Sequence, residues 1–252
     1  MMNPAEFANI ARSEQTFWWY RGMQRILFRL LDPIARKRKF QRVLEAGCGT
    51  GYLSKTLAER YGWPMFPVDL GWEGLEYARG MQAPRPVQCD IAALPFGDGA
   101  FDLLLSMDVI VHFPRGEETR PAAEFARVLR PGGLLVIRVS ALDLLRSRHS
   151  MFAQERQRFT RRRLVRLLED HGFAVRRCTY ANALLMPVAL AKFRIWEPLM
   201  RQPPRSGVEP AGPWLDRLLY APLAAEAALI GVGVNFLYGQ SLIAIAERRP
   251  LL

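Results

Sequence analysis

The run Val43-Leu44-Glu45-Ala46-Gly47-Cys48-Gly49-Thr50-Gly51 constrains the fold more than any other segment. Alternating glycines after a short apolar stretch let a strand turn sharply into a helix and let a ligand lie against the main chain. Asp69 closes the next apolar stretch, 22 residues beyond Gly47. A carboxylate there can accept both hydroxyls of a ribose, which fits an adenosine-containing ligand in a Rossmann-like fold. Two phosphate-cradling versions each miss a required glycine. A GxGxxG loop needs one where Tyr52 stands, and a phosphate loop over Gly49 to Thr56 needs one where Ser54 stands. Glu45 opposes a pyrophosphate by charge and suits a ligand with an ammonium or sulfonium group.

Strand and helix patterns alternate from there. Strands are expected at 42–46, 65–70, 87–90, 101–106 and 134–139, with helices at 52–61, 72–79 and 119–129. Arg130-Pro131-Gly132-Gly133 is read as the stop of the last helix. Residues 141–159 read as a polar connection. Thr160 suits an N-cap of a helix to His171, with Gly172 just past its end and a strand at 173–180. A strand at 242–246 completes the pattern. This rhythm predicts an α/β fold: a seven-stranded, mostly parallel sheet with helices on both faces. The organisation expected is a single domain, with a helical cap at 1–40, a cofactor-binding core at 41–180, a helical insertion over the substrate site at 181–240, and a last strand and tail at 241–252. Asp32-Pro33 is expected to end the helical cap. Between Glu226 and Glu247 no formal charge occurs, but Gly231, Gly233, Asn235 and Gly239 favour a helix end, a turn and a strand over a membrane span.

Four motifs in order, VLEAGCGTG, VDLG, CDIAALPFGDGAFDLLLSMDVIVHF and EFARVLRPGGLLVIRVS, cover residues 43–140. Together they resemble the class I S-adenosylmethionine-dependent methyltransferases, in particular the small-molecule group. Phe17-Trp18-Trp19-Tyr20-Arg21 and RFTRRRLVRLLEDHGF look like members of that group as well. The resemblance implies S-adenosyl-L-methionine as cofactor. Gly47, Cys48, Gly49 and Gly51 would wrap its methionine moiety and Glu45 would help hold the amino end. Asp69 would bind the ribose hydroxyls, Leu70 would pack on adenine, and Asp90 would accept from the adenine amino group beside Ile91. Ser106 and Met107 would line the transfer site. Tyr20 and its aromatic neighbours would shield the sulfonium, and Arg21 would pair with the methionine carboxylate. Transfer is an in-line displacement driven largely by alignment, so a base matters only for an acceptor with a proton of high pKa. His112, just past the fourth strand, is the candidate for that proton. No metal site is expected.

Composition narrows the partners. The 252 residues carry Lys+Arg 35 against Asp+Glu 24, a net charge of +11, with 50% hydrophobic side chains. This excludes a disordered or collagenous chain and favours anionic partners or solvated basic faces. Cys48, Cys89 and Cys178 form no CxxC pair, and the first residues lack an apolar signal core, so a reduced, cytoplasmic setting is expected. Arg156, Arg158, Arg161, Arg162, Arg163 and Arg166 form the densest basic cluster, read as a solvated helix face because no nucleic-acid module accompanies it. His149 and His171 are read as isolated. The apolar cluster Leu184, Leu185, Met186, Val188, Leu190, Phe193 and Trp196 points to a small, hydrophobic or lipid-like acceptor and to peripheral contact with the inner membrane face. An RNA or protein methyltransferase, or a non-catalytic protein that keeps the fold, are the alternatives.

Overall fold

A computed structural model describes residues 2–200, 203–208 and 212–250, so Pro210 and the last two residues of the tail lie outside the described residues. Two helices come first, α1 (Pro4–Ser13) and α2 (Trp18–Lys37). The α/β series follows: β1 (Val43–Ala46), α3 (Tyr52–Tyr61), β2 (Met65–Asp69), α4 (Trp72–Gly80), β3 (Val87–Gln88), β4 (Phe101–Met107), α5 (Thr119–Val128) and β5 (Leu129–Ser140). Then come α6 (Arg148–Phe152), α7 (Arg161–Asp170), β6 (Phe173–Ala181), α8 (Met186–Ala191), α9 (Glu197–Met200), α10 (Pro213–Gly231) and β7 (Ser241–Arg248). A single π turn, Lys192–Trp196, joins α8 to α9.

The strands form one sheet in the order β3-β2-β1-β4-β5-β7-β6. β7 runs antiparallel to both β5 and β6, and the remaining pairs are parallel. β1 has β2 on one side and β4 on the other, so the chain winds outward in opposite directions from these two central strands. Their C-terminal ends diverge and leave a crevice, the usual ligand position in an open α/β sheet.

Alternation along each strand feeds two cores. Leu104, Leu135, Ile137 and Leu242 face α5 and α7, where Phe125, Leu164 and Leu168 are buried. Leu103, Leu105, Val136 and Ile243 face α2, α3 and α10, where Ile26, Leu57, Leu223 and Ile230 are buried. Gly22 sets the α2–α10 spacing, because a Cβ there would lie 2.3 Å from Leu223 Cδ1.

Several expectations need correction. Pro33 does not end α2, which continues to Lys37. Ile34 and Ala35 pack on the same core as Leu30 and Leu31, and Asp32 is held by Arg60 at 2.9 Å and the Tyr61 hydroxyl at 2.7 Å. Tertiary contacts outweigh the one lost backbone bond. Arg130-Pro131-Gly132-Gly133 lies inside β5 as a bulge, since Phe101 pairs with Leu129 and Leu103 with Leu134. β3 is only two residues, leaving Asp90 in a loop. The 141–159 connection carries α6, capped by a Ser147–Ser150 box. Thr160 caps α7 as expected, accepting from the Arg163 amide.

Candidate active site

A cavity of about 1140 Å³ opens at the C-terminal ends of β1, β2, β4 and β5, roofed by α1, the start of α2, α6, α8 and residues 205–208. Its floor is the glycine turn. Gly47 adopts φ +87°, and a Cβ there would lie 2.2 Å from Val109, so the loop after β1 presses on the loop after β4. Gly49 faces space: the nearest atom to its imagined Cβ is Phe7 Cε1 at 3.9 Å.

Asp69 stands across this turn. Its Oδ2 accepts from the Gly49 amide and its Oδ1 from the Gly71 amide, each at 2.8 Å. Burial raises its pKa against the lowering effect of those N–H groups. Asp90 Oδ1 accepts from Ala92 at 2.9 Å. Leu70 is half exposed into the cavity, whereas Ile91 lines it from the core.

Glu45 lines the floor but is 2% exposed, and its Oε2 takes the Ser54 hydroxyl. Desolvation pushes its pKa up to about 8, with the Ser54 bond opposing. In the free protein it is therefore mainly a neutral acid near pH 7, which weakens the charge argument made for it from sequence. Cys48 lines the floor as a buried thiol, its pKa raised by desolvation.

Met107, Tyr20 and His112 also line the cavity. Burial raises the Tyr20 phenol strongly, and the neighbouring Glu6 and Glu14 add to this, so it stays protonated. His112 sits in a single 3₁₀ turn, Ile110–His112, with Nδ1 3.2 Å from the Gln154 carbonyl. Donation from Nδ1 leaves Nε2 with its lone pair. Burial pulls the imidazole pKa below its ordinary value.

Three expected residues are placed elsewhere. Arg21 pairs with Asp216 at 2.8 Å and lies 4.4 Å from the Tyr220 ring centroid, outside the cavity. Ser106 shares the face of Leu104 and is fully buried, away from Met107. Gly51 caps α3 against Ala78 and Ala83.

Other cavity residues were not singled out from sequence. Asp108, at φ +59°, pairs with Arg138 at 2.7 Å beneath Trp19. The only sequence signal was the arginine interrupting an apolar strand. Glu14 receives the Thr50 hydroxyl at 2.6 Å, and desolvation pushes its pKa up to about 7. His149 is not isolated: it lines the cavity and lies 3.6 Å from Glu6. The basic cluster is only partly solvated, since Arg158 forms a buried pair with Glu155 and the partly buried Arg163 pairs with the buried Glu118.

The residues present therefore fit a nucleoside with a charged tail: an open backbone cradle at Gly49, a carboxylate for a diol at Asp69, and buried carboxyls at the far end of the turn. A family model described as a methyltransferase domain matches residues 44–137. Residues 44–137 thus match a methyltransferase domain, on a sheet with the class I methyltransferase fold. Over 109 residues this chain is 37% identical to a malonyl-[acyl-carrier protein] O-methyltransferase of Enterobacter lignolyticus, covering 43% of this chain and 42% of that one. It is 33% identical over 99 residues to a 2-methyl-6-phytyl-1,4-hydroquinone methyltransferase of Synechocystis, covering 38% of this chain and 30% of that one. Each match spans less than half of the relative. Among solved structures, a Haemonchus contortus phosphoethanolamine N-methyltransferase in complex with S-adenosyl-L-methionine shares the fold, with TM-score 0.58, 18% identity, and coverage of 92% of this chain and 53% of that one.

Proposed function

We propose that this chain transfers a methyl group from S-adenosylmethionine to a small, apolar, lipid-like acceptor. One observation carries this: the cavity that holds Asp69 and the glycine turn continues to a wall of Leu185, Val188, Ala189, Phe193 and Trp196. Burying that much apolar surface rewards a hydrocarbon ligand and excludes water from the transfer site. Bound at the turn, the cofactor supplies a methyl group on a positively charged sulfur. Asp69 accepts the ribose hydroxyls, Asp90 the adenine amino group, and Trp18, Trp19 and Tyr20 screen the site from water. Nε2 of His112 takes the acceptor's proton where that proton has a high pKa. The phytyl-hydroquinone relative supports a lipid-like acceptor.

The same helices suit a membrane surface. Val188, Ile195, Leu199, Trp214 and Leu218 are exposed, Leu199 by 74% and Trp214 by 71%, with Lys192 and Arg194 among them. Such a face rests on an anionic bilayer by apolar insertion and charge. Among the described residues no helix is long and apolar enough to cross a membrane.

Methyl-tritiated cofactor supplied with cell extract tests the acceptor. Label entering the organic-solvent phase supports the reading; label confined to precipitated RNA or protein overturns it. Flotation with anionic liposomes tests the surface, and a chain that stays at the bottom of the gradient removes the membrane part.

A further inference from the structure

We propose that Glu14, through its free Oε1, is the receiving site for an ammonium group, delivered on the amino-acid end of the cofactor. The inference rests on the reading that this cavity holds S-adenosylmethionine.

Glu14 terminates α1 and is 6% exposed, yet it lines the cavity. Its Oε2 is taken by Thr50, while its Oε1 is buried with no hydrogen-bond partner. Among the described residues no lysine, arginine or histidine forms an ion pair with it. A buried carboxyl with one empty oxygen is an unmet demand for a donor, and it is met best by a cation.

Position names the cation. Thr50 belongs to the glycine turn, so the Thr50 bond sets the Glu14 carboxyl against the loop that would wrap the methionine moiety. Phe7, two turns earlier on α1, packs on Gly49, Gly71 and Gly74 and holds the helix over the same loop. Glu45, the first candidate for this role, is committed to Ser54 deeper in the floor. Glu6 is committed to Asn9 and Ser206. Of these three carboxyls, Glu14 is the one with a fully buried oxygen that has no hydrogen-bond partner. A single free oxygen matches one N–H of an ammonium and is too few for a metal ion, which requires several oxygens.

Calorimetric titration with S-adenosylhomocysteine and with 5′-methylthioadenosine, which keeps the nucleoside and sulfur but has no amino acid, tests the assignment. Glu14→Gln should weaken S-adenosylhomocysteine about 10-fold or more and leave methylthioadenosine within about twofold, with Glu14→Asp recovering part of the loss. Equal losses for both ligands would show a merely structural role and overturn it. Unchanged affinity for S-adenosylhomocysteine would overturn it too, and would leave an amine-bearing acceptor as the source of the ammonium. If neither ligand binds the wild-type chain, the cofactor reading itself fails, a result distinct from both.

Discussion

Asp216 caps α2 from a distance of nearly two hundred residues: its Oδ1 accepts from the Trp18 amide and its Oδ2 from Arg21, both at 2.8 Å. The insertion helix α10 thus supplies the N-cap that Phe17 cannot provide. Asp216→Ala should lower stability by about 1–2 kcal/mol, read as a drop in Tm of about 2–6 °C. Arg21→Ala should change Tm less and leave affinity for S-adenosylhomocysteine unaltered, which calorimetry can check.

Asp69→Asn keeps the size of the side chain but removes the charge and one acceptor. The expected result is an affinity for S-adenosylhomocysteine lower by about 10- to 100-fold, with 5′-methylthioadenosine equally affected because both carry the ribose. A loss confined to one ligand would place Asp69 elsewhere on the cofactor.

Glu14 and Glu45 make stability depend on pH in an unusual direction. Burial raises both folded pKa values, to about 7 and about 8, above the ordinary 4.5. The folded state then binds more protons than the unfolded state across this interval. The stabilisation is complete below about pH 4.5 and is lost as pH climbs through 7 and 8. In the ligand-free protein Tm should fall between about pH 5 and 8, and Glu45→Gln should flatten that slope.

His112→Ala should reduce kcat by about 10²-fold or more if the acceptor must lose a proton. The wild-type rate should fall only below pH 6.5, since burial lowers the imidazole pKa, and the variant should lack that acid limb. A variant with wild-type turnover and pH profile would remove His112 from the chemistry.

Gly47→Ala should destabilise the chain on two counts, the contact with Val109 and the left-handed backbone. Adding Val109→Ala should restore only the first. Thermal melts of the single and double variants separate the two contributions.

The parts of this molecule governed by local pattern were legible in the sequence. The glycine turn, the helix over Tyr52–Tyr61, the Thr160 cap and the seven strands depend on neighbours within one or two turns of chain. What failed depends on partners far away. Nothing near Arg21 reveals that Asp216 claims it, and nothing near Pro33 reveals the packing that carries α2 past it. Ser106 and Met107 are adjacent in sequence but alternate across the sheet, so only one of them reaches the cavity. Glu14 was invisible for the same reason: a carboxyl at the end of a surface-looking helix gains its character only from Thr50 beneath it.

The order β5-β7-β6 places the late strand Ser241–Arg248 as a wedge between two strands made earlier. A ribosome that has released residues only up to about 240 holds a chain whose β5 and β6 present two raw edges to solvent. Stalled or clipped products that lack β7 should therefore be the ones that clump and call on chaperones, while chains that include it seal themselves in one late step.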